Sequence, residues 1–178
     1  MLEGKNVNLR IMEKEDFPLV TEWCNSIEFG GEYVSPLQRS GAGWEKLGES
    51  LFETKVFIIE KKDGSKIGFV WNFDVLAPYA KMQEIGYALV PNERGKGYCT
   101  EAIQLMVDYL FLSKDIARIQ ATTHTKNVAS QKVLEKVGFK REGTLRKLAL
   151  VRGEMTDQFM FSILREEWKE PKTLTKTA

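Results

Sequence analysis

Short runs of alternating apolar and polar residues are separated in this chain by longer stretches with helical periodicity. Alternation predicts half-buried strands, and apolar residues that recur every three or four positions predict helices. On this basis strands are predicted over residues 7–11, 55–60, 66–74, 82–90, 116–123, 139–150 and 158–164. Helices are predicted over residues 13–25, 98–112 and 127–137, with a shorter one over 44–52. The stretch 26–43 is predicted to be irregular, because it is rich in Gly and Ser and contains Pro36.

Turn and breaker residues refine these bounds. Pro18 is tolerated only in the first turn of a helix, so the first helix is expected to begin near residues 15–16. Asp63-Gly64 suits the tight turn of a hairpin that joins the second and third strands. Arg152-Gly153 marks the turn of a closing hairpin, and the polar tail over residues 165–178 is expected to be frayed.

Strands and helices that alternate and then end in hairpins predict a mixed sheet with helices on both faces, an α/β (α+β) fold. The alternation gives about seven strands. The chain has 178 residues, of which 43% are apolar and 29% charged, and these values are typical of one globular domain. We therefore expect a single domain over residues 1–178.

Charge and composition argue against several classes of function. A net charge of +1 offers no electrostatic basis for binding nucleic acid or a membrane surface. No apolar run approaches the ~20 residues of a spanning helix, and no apolar segment follows Met1–Lys5 to make it a signal peptide. The expected location is therefore the cytoplasm. Cys24 and Cys99 are too few for a disulfide framework or a zinc site, so we expect buried thiols and no bound metal.

The most informative segment lies mid-chain, where a strand leads through Pro91 into the run Arg94-Gly95-Lys96-Gly97-Tyr98 and then into a helix. The N–H groups at a helix N-terminus favour an anion, and residues without a Cβ let a phosphate approach the main chain. No Gly-Lys-Ser/Thr is present there, which argues against a Walker loop. The dinucleotide fingerprint also fails, because Thr100 stands where that pattern needs Gly or Ala.

The pattern Arg-Gly-x-Gly-x-x-Thr-Glu-Ala over residues 94–102 resembles the acetyl-CoA pyrophosphate loop of the GNAT superfamily of N-acetyltransferases. A second block further along the chain supports this resemblance. Asn127 is followed three residues later by Ser130, and their helix ends in Lys136-Val137-Gly138-Phe139, as the corresponding helix of the family does. Gly138 suits the left-handed residue that follows a helix, and Phe139 can then pack back on it.

The resemblance implies a sheet that splays apart between the strand before the loop and the strand after its helix. The pantetheine arm of acetyl-CoA is expected in the splay, paired with main-chain groups of Ala88, Leu89 and Val90. The pyrophosphate is expected on residues around the helix start, namely Arg94, Gly95, Lys96, Gly97, Tyr98, Cys99 and Thr100. Asn127 and Ser130 are expected to contact the cofactor from the next helix, and the alternative for Asn127 is a plain N-cap.

Acetyl transfer from a thioester requires a neutral amine, a polarised carbonyl and a leaving thiolate. Main-chain N–H groups near Leu89 or Val90 are candidates for polarising the carbonyl, as in an oxyanion hole. Because an amine is mostly protonated at neutral pH, a base or a water chain must take its proton. Glu84, on the strand that approaches the splay, is the candidate base. The alternative is that the Glu84 carboxylate has no catalytic role and faces solvent or a neighbouring lysine.

The group that protonates the leaving thiolate departs from the family pattern. Many members carry a tyrosine seven residues after the helix asparagine, and this chain has Leu134 there. Ser130 is the nearest polar replacement, and its alternative role is to bind the cofactor or to cap the helix. His124 is expected to pack or to form hydrogen bonds rather than to act as a base.

The expected acceptor is an amine, and the closer resemblance is to the Rim-type branch, which acetylates the N-termini of ribosomal proteins. Trp23 in the first helix, residues 84–87 before the loop and residues 152–157 in the last hairpin carry it. Relatives acetylate polyamines, aminoglycosides or other small amines. Four carboxylates are candidates for making the amine-binding side acidic, and the alternative for each is a solvated surface position: Glu28, Glu32, Glu154 and Asp157. A non-catalytic CoA-binding module is the remaining alternative. We expect a monomer or a homodimer.

Overall fold

The structure is a computed structural model, and it describes residues 1–35, 40–43, 55–75 and 81–172. An eight-stranded sheet has the order β1-β2-β3-β4-β5-β6-β8-β7. Its strands are β1 (Leu2–Glu3), β2 (Val7–Ile11), β3 (Lys55–Lys61), β4 (Lys66–Val75), β5 (Met82–Leu89), β6 (Arg118–His124), β7 (Lys140–Val151) and β8 (Glu154–Leu164). The principal helices are α1 (Phe17–Asn25), α2 (Ile27–Gly30), α3 (Tyr98–Ser113) and α4 (Val128–Val137). The short helix predicted over 44–52 lies outside the described residues.

The pairing confirms the predicted mixed sheet. Neighbouring strands are antiparallel except β5 and β6, which are parallel. The sheet has eight strands rather than about seven because Leu2–Glu3 pairs with β2, and two residues are too few for alternation to show in the sequence. β8 begins at Glu154, earlier than the predicted start at residue 158.

Helices cover both faces of the sheet, as predicted. α3 and α4 pack on one face over the larger core, in which Leu110 and Phe161 are fully buried. α1 and α2 pack on the other face, where the rings of Trp23, Phe29 and Phe69 lie 5.5–6.4 Å apart between centroids. Stacked and tilted aromatic pairs of this kind stabilise a core beyond the apolar area that they bury.

Two helix starts differ from the prediction. α1 begins at Phe17, slightly later than expected, because residues 14–16 form a separate 3-10 turn. α2 lies in the stretch that was expected to be irregular, and the Ser26 side chain caps it by accepting a hydrogen bond from the Phe29 N–H at 3.3 Å. A helix of four residues shows too little periodicity to be recognised in the sequence. Among the described helices, none is long and apolar enough to cross a membrane.

The segment after β8 is packed rather than frayed, so that prediction is wrong for residues 165–172. The Arg165 guanidinium donates a hydrogen bond to the main-chain carbonyl of Phe111 at 3.0 Å. The Trp168 indole N–H donates to the Asp108 carboxylate at 2.8 Å, and its ring lies against Phe111. The polar composition hid this packing because arginine and tryptophan combine an apolar body with a polar tip.

The centre of the sheet is splayed, as the resemblance implied. β5 and β6 pair only from Met82 opposite Arg118 to Glu84 opposite Gln120. Beyond that point β5 stays paired with β4, and β6 stays paired with β8. The described strands therefore leave an opening between β5 and β6, and it is bordered by residues 85–89 of β5.

A buried charge network fixes the start of α1 against the sheet. Asp16 is 1% exposed, and Arg10 donates to both of its carboxylate oxygens at 2.9 Å. Lys66 and the Glu13 N–H donate to the same carboxylate at 2.6 and 2.9 Å. Burial alone would raise the pKa of Asp16, but these donors outweigh it and hold that pKa well below its usual range.

Asp16→Asn should lower the free energy of unfolding by about 3 kcal/mol at neutral pH, because the cationic partners lose their buried counter-charge. The wild-type carboxylate stabilises the fold above the usual aspartate pKa of 3.8, and this contribution is lost as the pH falls through the lowered value. Urea unfolding of both proteins at neutral and acid pH measures the effect. Asp63→Asn, in the exposed hairpin turn, is the control. A gap between wild type and Asp16→Asn that stays constant in acid would contradict this account.

Candidate active site

The glycine-rich loop forms an open anion site at the start of α3. Gly95 and Gly97 have φ values of +76° and +89°, which residues with a Cβ rarely adopt. Gly97 is the N-cap of α3, so the unpaired N–H groups of the first helical turn lie directly after it. A Cβ built at either glycine would meet no atom within 4 Å. The loop therefore has both the space and the dipole that a phosphate requires.

The two basic side chains of the loop are engaged elsewhere. The Arg94 guanidinium donates to the carbonyls of Leu89 at 3.0 Å and Phe29 at 2.7 Å, and thereby ties β5 to α2. The Arg94 N–H donates to the Pro91 carbonyl at 3.2 Å, which contradicts its predicted place among the phosphate-binding amides. Lys96 forms an ion pair at 3.0 Å with a neighbouring glutamate. In this conformation the anion site therefore consists of main-chain groups after Arg94.

Main-chain alternation determines which residues of β5 face the opening. The Val90 N–H donates to the Ile67 carbonyl on β4 at 2.9 Å, so it is not available to a ligand. Because successive residues of a strand direct their N–H and C=O groups to opposite sides, Ala88 also faces β4 and Leu89 faces the opening. Of the three residues predicted to pair with a cofactor arm, Leu89 alone keeps that role. Its N–H is also the remaining candidate for polarising a carbonyl.

Glu84 lies at the last β5–β6 pair, on the face that α1 and α2 cover. Strand alternation places Glu84 on the same face as Ala88, which packs against the aromatic cluster under these helices. Its carboxylate accepts hydrogen bonds from Gln120 Nε2 at 2.9 Å and Thr122 Oγ1 at 3.4 Å. Two neutral donors thus orient the carboxylate without neutralising its charge. A carboxylate held in this way can accept a proton from an amine that reaches the opening.

An aromatic wall stands beside Glu84. The Trp71 indole lies against Gly86, and a Cβ at that glycine would collide with the ring. Phe69 extends the wall, with its ring centroid 5.7 Å from that of Trp71. The glycine in the strand is therefore required by packing. Aromatic faces next to a carboxylate attract ammonium groups and also exclude water from the opening.

Ser130 lies in the first turn of α4, at the far side of the opening. Asn127 is the N-cap of this helix, because its Oδ1 accepts a hydrogen bond from the Ser130 N–H at 3.1 Å. The Ser130 Oγ lies 2.8 Å from the Tyr87 Oη. Leu134, at the position where many relatives carry tyrosine, is fully buried in the core. The hydroxyl groups at this end of the site therefore belong to Ser130 and Tyr87.

A short segment after α2 lies across the end of β6. The Tyr33 ring is 5.0 Å from the His124 ring, which supports the expected packing role of this histidine. Ser35 Oγ donates to the Leu150 carbonyl at 2.7 Å and accepts from the Arg152 N–H at 3.2 Å. These contacts tie the segment to the closing hairpin. The contacts therefore place this segment beside the face of β6 that carries Gln120 and Thr122, the residues that hold Glu84.

The two thiols are half-buried rather than fully buried as expected, and both have a raised pKa. Burial raises the pKa of Cys99 to about 12 and that of Cys24 to about 11. Both groups therefore stay protonated at neutral pH, and a protonated thiol is a poor nucleophile and a poor metal ligand. In the part of the chain that the structure describes, no three His, Cys, Asp or Glu side chains converge as a metal site would require.

Sequence reasoning proposed Glu84 and Ser130 as candidates but did not identify the residues that contact them. Gln120 and Thr122 occupy alternate positions of one strand, yet their contact with Glu84 depends on a register between strands that are far apart in sequence. Tyr87 lies directly before the residues predicted to bind the cofactor, and its partner is 43 residues away along the chain. For Gln120, Thr122 and Tyr87, the sequence offered one indication of a role in the site. Each is a polar residue that alternates with core residues on a strand next to the predicted splay.

Residues 6–140 match the family model described as an acetyltransferase (GNAT) domain. The chain belongs to the GNAT family. This match confirms the resemblance carried by the glycine-rich loop and the helix that starts at Asn127, and the splayed sheet agrees with it. The fold of the family is thus reached independently from the sequence motifs and from the strand pairing.

Individual GNAT proteins confirm the fold and leave the acceptor open. The uncharacterized N-acetyltransferase p20 of Bacillus licheniformis is 37% identical over 111 residues, and the match spans 62% of each chain. Spermidine N-acetyltransferase from Vibrio cholerae, solved with CoA and spermine, superimposes with a TM-score of 0.82 at 21% identity, over 92% of this chain and 98% of that one. Ribosomal-protein-S5-alanine acetyltransferase from Vibrio fischeri superimposes with a TM-score of 0.79 at 23% identity, over 94% of this chain and 97% of that one.

Gly97→Trp should weaken acetyl-CoA binding by at least about tenfold, or about 1.4 kcal/mol. The reason is steric, because the new side chain would occupy the open space where the pyrophosphate is expected. Titration calorimetry with acetyl-CoA measures the change. Gly64→Trp is a matched control, since Gly64 also has a positive φ (+83°) and open surroundings but lies in a distant hairpin turn. Equal acetyl-CoA affinities for wild type and Gly97→Trp would show that the pyrophosphate does not bind at this loop.

Proposed function

We propose that this chain transfers the acetyl group of acetyl-CoA to a primary amine, and that its preferred acceptor is the α-amine of a protein N-terminus. The observation that carries the proposal is the position of Glu84 at the last strand pair before the opening, held by Gln120 and Thr122. This carboxylate serves an amine on one face of the sheet. The loop around Gly95–Gly97, past the end of the same strand, serves an anionic acetyl donor.

The residues around the opening fit acetyl-CoA. The main chain of Gly95–Gly97 and the first turn of α3 would hold the pyrophosphate, where a Cβ would find only empty space. Leu89 would pair with the pantetheine arm, and its N–H would polarise the acetyl carbonyl. Bound acetyl-CoA supplies a thioester whose thiol, with a pKa of ~8.5, is a fair leaving group without a strong acid.

Glu84 acts on the acceptor as the base. A protonated amine is not a nucleophile, so its proton must pass to the carboxylate directly or through one water. The hydrogen bonds from Gln120 and Thr122 keep the carboxylate in one orientation while it waits for the proton. Holding the amine and the thioester side by side in the opening supplies a further large part of the rate.

The charges near Glu84 favour an acceptor with one amine over a polyamine. Among the residues that the structure describes, the side chains that donate hydrogen bonds to the carboxylate are the neutral Gln120 and Thr122, and the apolar Trp71 lies against the next residue on the same face, Gly86. A polyamine carries several positive charges along its length and is best matched by several carboxylates. A single α-amine followed by an uncharged main chain needs one. This pattern agrees with the resemblance to the Rim-type branch.

A small amine is the second candidate acceptor, because Glu28 and Glu32 are exposed on α2 and directly after it. Both residues shortly precede Tyr33 and Ser35, which contact the end of β6 and the closing hairpin, so an exposed carboxylate there could meet the distal charges of a polyamine. The fold similarity to a spermidine N-acetyltransferase is compatible with this reading. A CoA-binding module without turnover is the third candidate, since Leu134 replaces the tyrosine acid of many relatives.

A thiol-release assay with acetyl-CoA distinguishes these candidates. The acceptors are peptides that start with Ser or Ala, spermidine and an aminoglycoside. We expect turnover with the peptides, and blocking their α-amines should abolish it. Turnover confined to spermidine or the aminoglycoside would replace the peptide proposal with the small-amine one. Tight acetyl-CoA binding without release from any acceptor would favour the non-catalytic module.

Glu84→Gln should lower kcat at least about 100-fold, because a general base contributes about 10²–10⁴-fold to such rates. It should also remove the limb of the kcat profile on which the rate falls with falling pH, since the amide has no carboxylate to protonate. Steady-state kinetics with saturating acetyl-CoA across the pH range measures both effects. Glu22→Gln, an exposed position on α1, is the control. An unchanged acidic limb in Glu84→Gln would assign the base to another group.

A further inference from the structure

A half-buried tyrosine contacts Ser130 from across the opening. Tyr87 lies on β5 beyond the last pair with β6, and its side chain packs on the face that α3 and α4 cover. Its Oη is 2.8 Å from Ser130 Oγ and 3.2 Å from the Ser130 main-chain carbonyl oxygen. One hydrogen bond therefore joins the strand on one side of the opening to the helix that follows the strand on the other side.

Either hydroxyl can be the donor in the contact between Tyr87 Oη and Ser130 Oγ. Burial raises the pKa of the Tyr87 phenol well above its usual range, and the nearby Cys99 adds to the rise, so the phenol stays protonated at any working pH. The Ser130 carbonyl is placed to accept the helical bond from the Leu134 N–H. The stronger contact of the phenol is therefore with Ser130 Oγ. When the phenol is the donor in that contact, the Ser130 hydroxyl can donate its own proton to a further group.

The position that carries a tyrosine in many relatives has no polar group in this chain. Leu134 is fully enclosed in the core and packs with its neighbours as an apolar residue. Tyr87 brings a phenol to the same end of the opening from the strand instead of the helix. Its hydroxyl reaches the opening through Ser130, which lies one turn before Leu134 on α4.

We propose that Tyr87 is a positioning residue for acetyl transfer: it holds Ser130 Oγ so that the Ser130 hydroxyl donates a hydrogen bond to the leaving sulfur. The proposal rests on the proposed function. A hydroxyl that accepts one hydrogen bond becomes a stronger donor of the next. This coupling gives the phenol an effect on the reaction although it need not touch the substrate.

Acetyl transfer by this route requires no proton from the Tyr87 phenol. The amine nitrogen bonds to the carbonyl carbon, and the amine proton passes to Glu84 or to water. The carbon–sulfur bond then breaks, and its electron pair stays on sulfur. Ser130 stabilises that thiolate by a hydrogen bond, and solvent protonates it later. Tyr87 keeps its proton throughout, as its burial requires.

Tyr87→Phe removes only the hydroxyl and tests the proposal in the full chain. We expect kcat to fall about tenfold, the usual scale for one lost hydrogen bond, while acetyl-CoA affinity by calorimetry changes less than about twofold. Ser130→Ala should lower kcat by at least as much. The double variant should match Ser130→Ala alone, because Tyr87 acts through Ser130. Tyr109→Phe is the control. It removes the hydroxyl from a ring that packs on Phe57 in the same core, and kcat and acetyl-CoA affinity should not change.

A second readout requires no turnover. The ultraviolet absorbance of the CoA thiolate, followed against pH in the complex of protein and CoA, gives the pKa of the bound thiol. We expect that pKa to be about one pH unit higher in Tyr87→Phe and in Ser130→Ala than in wild type, because one unit corresponds to a tenfold loss of thiolate stabilisation. If wild type binds CoA but acetylates nothing, the proposed function fails while this titration still tests Tyr87.

Three outcomes would overturn the role of Tyr87. The first is an active wild type whose kcat and bound-thiol pKa are unchanged in Tyr87→Phe. The second is a double variant whose loss equals the sum of the two single losses, because Tyr87 would then act independently of Ser130. The third is a parallel loss of kcat, CoA affinity and melting temperature, which would make the hydrogen bond purely structural.

Discussion

The pairing of β5 with β6 stops at Glu84 and Gln120, and the candidate site depends on this break. Main-chain groups of a strand are obligatory hydrogen-bonding groups, so an unpaired edge inside a sheet must find other partners. Residues 85–89 form such an edge, and a ligand rather than a neighbouring strand can pair with it. The opening persists because each strand stays anchored on its outer side, β5 to β4 and β6 to β8, and because separate apolar clusters close the two faces.

Arg94 joins the two sides of this arrangement. Its main chain begins the anion loop, while its guanidinium holds the carbonyl at the end of β5 and a carbonyl of α2. Charge-assisted hydrogen bonds to carbonyl oxygens are directional and strong. The position of the loop, the end of the strand and the helix on the acceptor face are therefore set together. The resemblance to the family assigned Arg94 to the phosphate, and the structure gives it this internal role instead.

The features that could be predicted from the sequence are those set by neighbouring residues. Gly95 and Gly97 need left-handed backbone, and Asn127 caps the helix that it precedes, so the loop and α4 were correctly located. Glu84 was proposed from its place on the strand that approaches the splay, but its contact with Gln120 depends on strand register, which only the folded sheet defines. The tail after β8 was misjudged for the same reason, because Trp168 finds Asp108 through tertiary packing.

Tyr87 and Leu134 offer two different environments for a hydroxyl group at this end of the opening. A phenol at position 134 would enter a fully enclosed core and would need its own hydrogen-bond partner there, at a cost of about 1–3 kcal/mol if none were available. On β5 the same group already has a partner, since Ser130 Oγ is 2.8 Å away. A hydroxyl placed on the strand instead of the helix therefore leaves the core apolar under α4, and in the role proposed for Tyr87 it would direct the Ser130 hydroxyl into the opening. The proposed role requires only that this partly buried phenol stays protonated, and its raised pKa meets that requirement.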